Sequence, residues 1–546
     1  MAEPAPFLRI PPFPGRRLRS LVLEGETAAP GEAAPLIGAL CENRVGGSFW
    51  GARPQLPAGR DLLMVPSGRA EATAMLAAAR RDGSAARAVL VGVAGAGKLP
   101  VIPASCDPWH CIEQARELRV SARSEWALVG ALLGRALALH GSGRFAALAD
   151  GAAGLTRVVE QTIAARRWRD PFSGAELSAE AAIARLADWR RLIDANREIA
   201  AVFGVARWKR VTMDALLWDG GGPVRHAGAA RARSLAAGAR VLAWKARTPP
   251  ATLALLAARG IVPGEIEDGM IRSSGLGAHC VPPLSILVDP QGAHFDPGQP
   301  STLETILEHE DMPEALLVRA RHLRERLVAA GIGKYGSAAA AAAPRAHAAR
   351  RRVLVTGQVE DDRAVLLGGA GTSNRELLVR ARAAEPDAEI IYKPHPDVEA
   401  GHRRGALADA EVLASADRIE RAAPIGTLLA SVDAVHVISS LTGFEALCRG
   451  VAVTTHGVPF YAGWGLTRDL GPVPARRTRR RRLDELVAAV LILYPRYLDP
   501  VSRLPCPPEV LVERMAAGEA AVSSPLVRLR KWQGALMRRL ERRAKA

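Results

Sequence analysis

Along the chain, short apolar runs alternate with longer stretches of helical spacing. Ala88–Val93, Val353–Thr356, Glu389–Tyr392 and Ala434–Ile438 are of strand length, and each is followed by a helical or glycine-rich segment. This alternation predicts parallel α/β sheets, because a parallel strand pair needs a crossover between its members. Within 165–215, ADWRRLIDANREIAAVFGVARW has the apolar spacing of a helix. GSAAAAAAPRAHAARRR, residues 336–352, is low in complexity and reads as a linker between two sheets.

The pattern also repeats. Ala115–Phe145 parallels Val432–Phe460, and WRDPFSGAELSAEAAIARLADW from Trp168 parallels YLDPVSRLPCPPEVLVERMA from Tyr497. Two matches in the same order at matching offsets predict tandem modules, the first without its front half. The expected division is a degenerate nucleotide-type domain at 1–155 and a helical connector at 156–235. A Rossmann-like domain at 236–335, the linker, a second Rossmann-like domain at 353–500 and a basic tail at 501–546 follow.

Composition narrows the partners. At 546 residues the chain has room for roughly three to four domains of about 150 residues. A net charge of +17 favours anionic partners: nucleic acid, anionic lipid, acidic sugars or nucleotides. The excess gathers at Arg476–Arg482 and at Leu526–Ala546. The latter spaces Leu526, Leu529, Trp532, Leu536 and Leu540 among basic residues, which suits an anionic lipid surface. Specific nucleic-acid binding is disfavoured, since the basic clusters lack interleaved aromatics and no known module is present. Six scattered cysteines suggest free thiols in a reducing compartment and no zinc site. The start lacks an apolar leader and no apolar run reaches membrane-spanning length, so a cytoplasmic protein peripheral to the inner membrane is expected.

Candidate chemistry lies mostly in the second half. Gly92–Lys98 has phosphate-loop spacing, but Leu99 lacks the hydroxyl that would hold Mg²⁺ and Pro100 follows, so a turn is the better reading. Three clusters carry more. Glu267-Asp268-Gly269, followed by Arg272 and Ser273, places acids at a strand end, where ligands of α/β folds bind. A carboxylate there can act as nucleophile or base, and Arg272 can clamp a sugar carboxylate. Lys393-Pro394-His395-Pro396 presents an imidazole and an ammonium on a stiff loop, suited to a leaving phosphate. Ser439, Ser440 and Thr442 stand between a strand and a helix, an anion site, with Glu445 placed for ribose hydroxyls. Each cluster also has an ordinary structural reading as a turn, a strand end or a helix cap.

Taken together, the clusters resemble the motifs of GT-B sialyltransferases that use CMP donors. The match is closer to capsule-polysaccharide β-Kdo transferases of the KpsC type. EDGMIRSSGLG, PPLSILVD, FDPGQPSTLE, TGQVEDD, YKPHPDV, SSLTGFEALCRG and PFYAGWGLT carry it, over roughly 240–500. The resemblance implies an α/β, GT-B-type fold with two Rossmann-like domains, 236–335 on the acceptor side and 353–500 binding the CMP-sugar. It further implies retaining transfer of Kdo from CMP-Kdo to a phosphatidylglycerol-type, Kdo-primed glycolipid in linker synthesis. The implied roles are Asp268 as nucleophile, Glu267 as neighbour or base, and His395 with Lys393 on the departing phosphate. Ser439, Ser440 and Thr442 would bind that phosphate, Glu445 the ribose, and Gln358 with Glu360 would line the cleft. No metal or cofactor is implied. The second module of the family suggests a β-2,7 linkage. Residues 1–155 resemble only the tail of a first module, with Ser121–Trp126 standing where SSLTGF stands in the intact copy, and are expected to be catalytically dead. Lys334-Tyr335-Gly336 and Ala243-Trp244-Lys245 depart from the family pattern. The competing expectation is a non-catalytic scaffold of the capsule biosynthesis and export complex.

Overall fold

The computed structural model describes residues 5–23, 32–93, 98–273, 280–333, 336–337, 350–401 and 403–520. It separates into two compact units. The first holds the residues up to Glu198 with Met213–Val224 and Val501–Leu504; the second holds Ile199–Thr212, Arg225–Pro500 and the residues from Pro505 on.

The first unit is built on five parallel strands: β1 (Leu62–Val65), β2 (Ala88–Val91), β3 (Val101–Ile102), β4 (Glu117–Ser121) and β5 (Ala136–His140), in the order β3-β2-β1-β4-β5. β1 and β2 are buried along their whole length, the mark of strands covered on both faces. The helix Arg69–Arg81 lays Ala72, Met75, Leu76 and Ala79, one helical stripe, onto Leu62, Met64, Ala88 and Leu90. Asp107, fully buried, caps the helix Pro108–Glu113 and is paired with Arg53 and Arg190 at 3.0 Å each, which offsets only part of its desolvation. Past the sheet, the helix Gly151–Val159 runs into a π turn at Glu160–Ala164. The hairpin β6 (Trp168–Arg169) and β7 (Glu176–Leu177) follows, then the helix Ala179–Asn196, capped by Ser178.

The second unit contains two Rossmann-like sheets. One uses β8 (Ala201–Phe203), β9 (His226–Ala227), β10 (Val241–Ala243), β11 (Gly264–Asp268) and β12 (Ser285–Asp289). A small hairpin, β13 (Ile332–Gly333) and β14 (Gly336–Ser337), follows it. The other sheet uses β15 (Arg352–Thr356), β16 (Glu389–Lys393), β17 (Arg418–Ile419), β18 (Ala434–Val437), β19 (Ala452–Thr455) and β20 (Arg468–Asp469), parallel in the order β17-β16-β15-β18-β19-β20. The chain then returns to the first of these sheets with β21 (Pro495–Leu498) and β22 (Pro505–Cys506), giving β22-β21-β12-β11-β10-β8-β9. A shared core joins them: Leu284 and Leu287 from one side and Leu354, Val435 and Phe444 from the other belong to one buried cluster.

β8 and β9 fall inside 156–235, expected as a helical connector, and β22 falls beyond 500; the sheet is wider at both ends than the sequence division allows. The strands responsible are two or three residues long, too short to show a period.

The repeat is visible in the topology. β1 to β5 take the same order as β15 to β19. In the second unit the helix Leu483–Val487, a π turn at Ala488–Leu493, the hairpin β21–β22 and the helix Pro508–Ala516 reproduce the succession that follows β5 in the first. Tyr497 pairs there with Ser285 of β12. At the matching place in the first unit Trp168 bridges to Val22 instead, so an N-terminal segment stands in for a missing strand.

Candidate active site

The acids at the end of β11 have distinct surroundings. Glu265 is buried and held by Arg363 (Nη1 2.8 Å, Nη2 3.2 Å) and by Lys245 at 3.3 Å. Glu267 receives the same Arg363 at 3.4 Å. Its carboxyl is pushed up to about 8, first by burial and then by the neighbouring Glu265 carboxylate. Asp268 carries a cation on each oxygen, Lys209 Nζ at 3.1 Å and Arg272 Nε at 2.9 Å. Burial lowers Lys209 to about 8, and its ammonium lies 3.2 Å from the centre of the Trp244 ring. Gly269 is required here: a Cβ would meet Ser285 Oγ at 2.0 Å.

On the facing sheet, Gln358 follows β15 and receives the backbone amides of Ile438 and Ser439 at 3.0 and 2.9 Å, while its own amide donates to Ser439 Oγ at 3.3 Å. Ser440 caps the helix Leu441–Cys448 by accepting from Thr442 N, and its hydroxyl bonds Thr442 Oγ1 at 3.1 Å. Lys393 donates to the Arg421 carbonyl at 2.6 Å. His395, half-buried at the end of β16, accepts the Asp397 amide at Nδ1, 3.2 Å away. That bond leaves the proton of a neutral ring on Nε2, a donor for an anionic oxygen. Glu445 sits one turn into the Leu441–Cys448 helix, its carboxylate 3.0 Å from where a Gly333 Cβ would stand.

Arg363 ties the two groups together. Its guanidinium holds Glu265 and Glu267, its ring neighbour is Phe295 at 5.1 Å, and the next carbonyl, Ala364, accepts Ser439 Oγ at 3.0 Å. The acidic loop of one sheet and the serine loop of the other are thus separated by a single residue pair.

Several sequence expectations need correction. Arg272 is 1% exposed and its nitrogens are engaged with Asp268, Ser273 Oγ and the Val281 carbonyl, so it positions the nucleophile candidate and does not clamp a sugar. Ser273 is fully buried in that contact. Gln358 bonds the backbone of the serine loop, and Glu360, half-buried, accepts the Asn374 amide at 2.7 Å at the start of the helix Asn374–Ala384. The Arg476–Arg482 cluster is largely matched internally: Arg476 and Arg477 on Glu304, Arg479 on Asp311, Arg481 on Glu485. Ser274–Gly277, most of 336–352 and Leu526–Ala546 lie outside the described residues. Sequence reading missed Lys209, Glu265 and Arg363. Lys209 was absorbed in the helical pattern around Trp208, and Arg363 follows TGQVEDD without any feature of its own.

In the first unit the same places are differently filled. β2 leads into Gly92-Val93 with no lysine or histidine, and Glu125, the first residue of the Glu125–Leu132 helix, is gripped by Arg9 at 2.5 and 2.8 Å. Among the described residues there is no cluster of three metal-binding side chains, and no helix is long and apolar enough to cross a membrane.

The family model for capsule polysaccharide biosynthesis proteins matches residues 323–497. The lipopolysaccharide-processing protein LpsZ of Rhizobium meliloti is 48% identical over 236 residues, 42% of this chain and 53% of that protein. The capsule polysaccharide modification protein LipA of Neisseria meningitidis serogroup A is 42% identical over 264 residues, 48% of this chain and 37% of that protein. The chain therefore spans about half the length, or less, of these curated relatives. Among solved structures, the β-Kdo 2,4 transferase of Thermosulfurimonas dismutans KpsC is 31% identical, with 58% of this chain and 98% of that one covered and a TM-score of 0.48. The β-Kdo 2,7 transferase of the same protein is 29% identical, with 58% and 99% covered and a TM-score of 0.47.

Proposed function

This chain belongs to the KpsC-type capsule polysaccharide proteins, and from that premise we propose that its second unit is a retaining GT-B glycosyltransferase. It moves Kdo from CMP-Kdo onto a Kdo-primed, phosphatidylglycerol-type glycolipid at the inner-membrane surface. The observation that carries this reading is the pair Glu267-Asp268, unlike in environment and joined through Arg363 to the serine loop.

In the first step Asp268 attacks the anomeric carbon; a glycosyl ester forms, the bond to the phosphate oxygen breaks, and CMP leaves with the electron pair. Lys209 and Arg272 fix the carboxylate's orientation by holding one oxygen each. His395 Nε2–H, Lys393 and the donors around Ser439, Ser440 and Thr442 neutralise charge on the departing phosphate, and Glu445 holds the ribose. In the second step an acceptor hydroxyl attacks the same carbon and releases Asp268, with Glu267 taking the hydroxyl proton. A group poised at about 8 suits a base working near neutrality. Two displacements give net retention. The first unit, with Glu125 and Arg9 at its helix terminus, takes no part in the chemistry.

Mass spectrometry of the full chain mixed with CMP-Kdo tests the reading. A Kdo adduct on the peptide containing Asp268, absent from Asp268→Ala, is expected. CMP binding without adduct or product would favour the scaffold alternative and overturn the proposal.

A further inference from the structure

We infer that a cleft of about 360 Å³ at the carboxyl ends of β8, β9 and β10 receives an anionic group of the acceptor. This rests on the transferase reading and names the chemistry of its acceptor side. The cleft is lined by Val202, Gly204, Ala206, Arg210, His226 and Arg247, among other residues, and its lining contains basic side chains but no carboxylate.

Three observations converge on it. β9, β8 and β10 are parallel neighbours, and the crevice outside the carboxyl ends of such strands is where open α/β sheets bind ligands. Arg210, half-buried, and Arg247, exposed, bring two guanidinium groups to a wall without a carboxylate, ready charge-assisted donors to an anionic oxygen. The cleft also adjoins the reacting carboxylate. Gly204, at φ +71°, packs so closely on the turn after β10 that a Cβ would meet the Trp244 carbonyl at 2.6 Å. Trp244 in turn covers Lys209, which holds Asp268. Arg210 is the next residue in the chain. A volume of this size accommodates one sugar-acid or glycerol-phosphate unit. Guanidinium groups recognise carboxylate and phosphate alike, so the anion is either the carboxylate of the terminal sugar acid or the phosphate that joins sugar to lipid.

Calorimetric titration of the full chain with the methyl glycoside of Kdo, a carboxylate without phosphate, and separately with glycerol 3-phosphate, distinguishes the two sources. Binding of either probe is expected, weakened at least about tenfold by Arg210→Gln and by Arg247→Gln, with partial recovery in Arg247→Lys and CMP affinity unaltered. In turnover, the same variants raise KM for the acceptor by a similar factor at nearly constant kcat. Equal affinity in variants and wild type, or no binding of either probe, overturns the assignment. Failure of the chain to turn over CMP-Kdo would sink the transferase reading while leaving this titration decisive for the cleft.

Discussion

Adjacent side chains at the end of β11 are set to different tasks by what surrounds them. Asp268 meets an ammonium and a guanidinium, whereas Glu267 shares one guanidinium with a second carboxylate in a drier place. Removing the base without removing the nucleophile should trap the intermediate. Glu267→Gln is expected to accumulate the Kdo adduct on Asp268, with its release slowed by about 10²–10⁴-fold, read by quenched-flow mass spectrometry. In the wild-type chain the base form grows as pH rises, so adduct release should accelerate up to about pH 8 and then level as Glu267 finishes titrating. The acids themselves were legible in the sequence, because Glu-Asp-Gly at a strand end is a local pattern. Their counter-ions were not: Lys209 and Arg363 lie 59 and 95 residues from Asp268, and nothing near either announces its partner.

Among the elements, the helix Leu441–Cys448 depends on close contact. A Cβ at Gly443 would meet Tyr461 Oη at 2.1 Å, and that hydroxyl donates to the Ser440 carbonyl at 2.5 Å. Gly443→Ala should therefore destabilise the protein by about 1–3 kcal/mol and weaken CMP binding by disturbing the serine loop, seen as a lower Tm and a raised Kd. The strands behind this loop hold a buried pair, His436 Nδ1 against His456 Nε2 at 3.0 Å. Burial depresses them to about 3 and about 4. Arg351, Arg380 and Arg468 add to the effect, and Glu385, 3.8 Å from His436, opposes it. Their folded values lie below the unfolded one, so the stability they contribute is present above about pH 6.5 and lost as pH falls towards 4. Tm measured across that window should drop, and should drop less in a His436→Leu/His456→Leu variant.

For the chain as a whole, the repeat was the most informative sequence feature, and β4–helix–β5 against β18–helix–β19 bears it out in parallel pairing and order. The first unit's sheet is more complete than its sequence suggested, since β1, Leu-Leu-Met-Val, carries no motif to compare with β15. The antiparallel return of β21 onto β12 was illegible, because it joins segments about 210 residues apart, and neither strand has a local pattern that names its partner. Both helix termini have a capping serine, Ser440 and Ser124, but Arg9 and Glu125 occupy the second, so calorimetry should count one CMP per chain, and Lys393→Ala/Ser440→Ala should abolish it.

Arg363 adds a kinetic consequence. It clasps a buried carboxylate of the neighbouring sheet, so unfastening it leaves Glu265 to Lys245 alone in a medium that solvates charge poorly. Parting the two sheets then carries an electrostatic penalty, and Arg363→Met is expected to lower Tm and to slow adduct formation together, read by thermal melting and quenched-flow mass spectrometry.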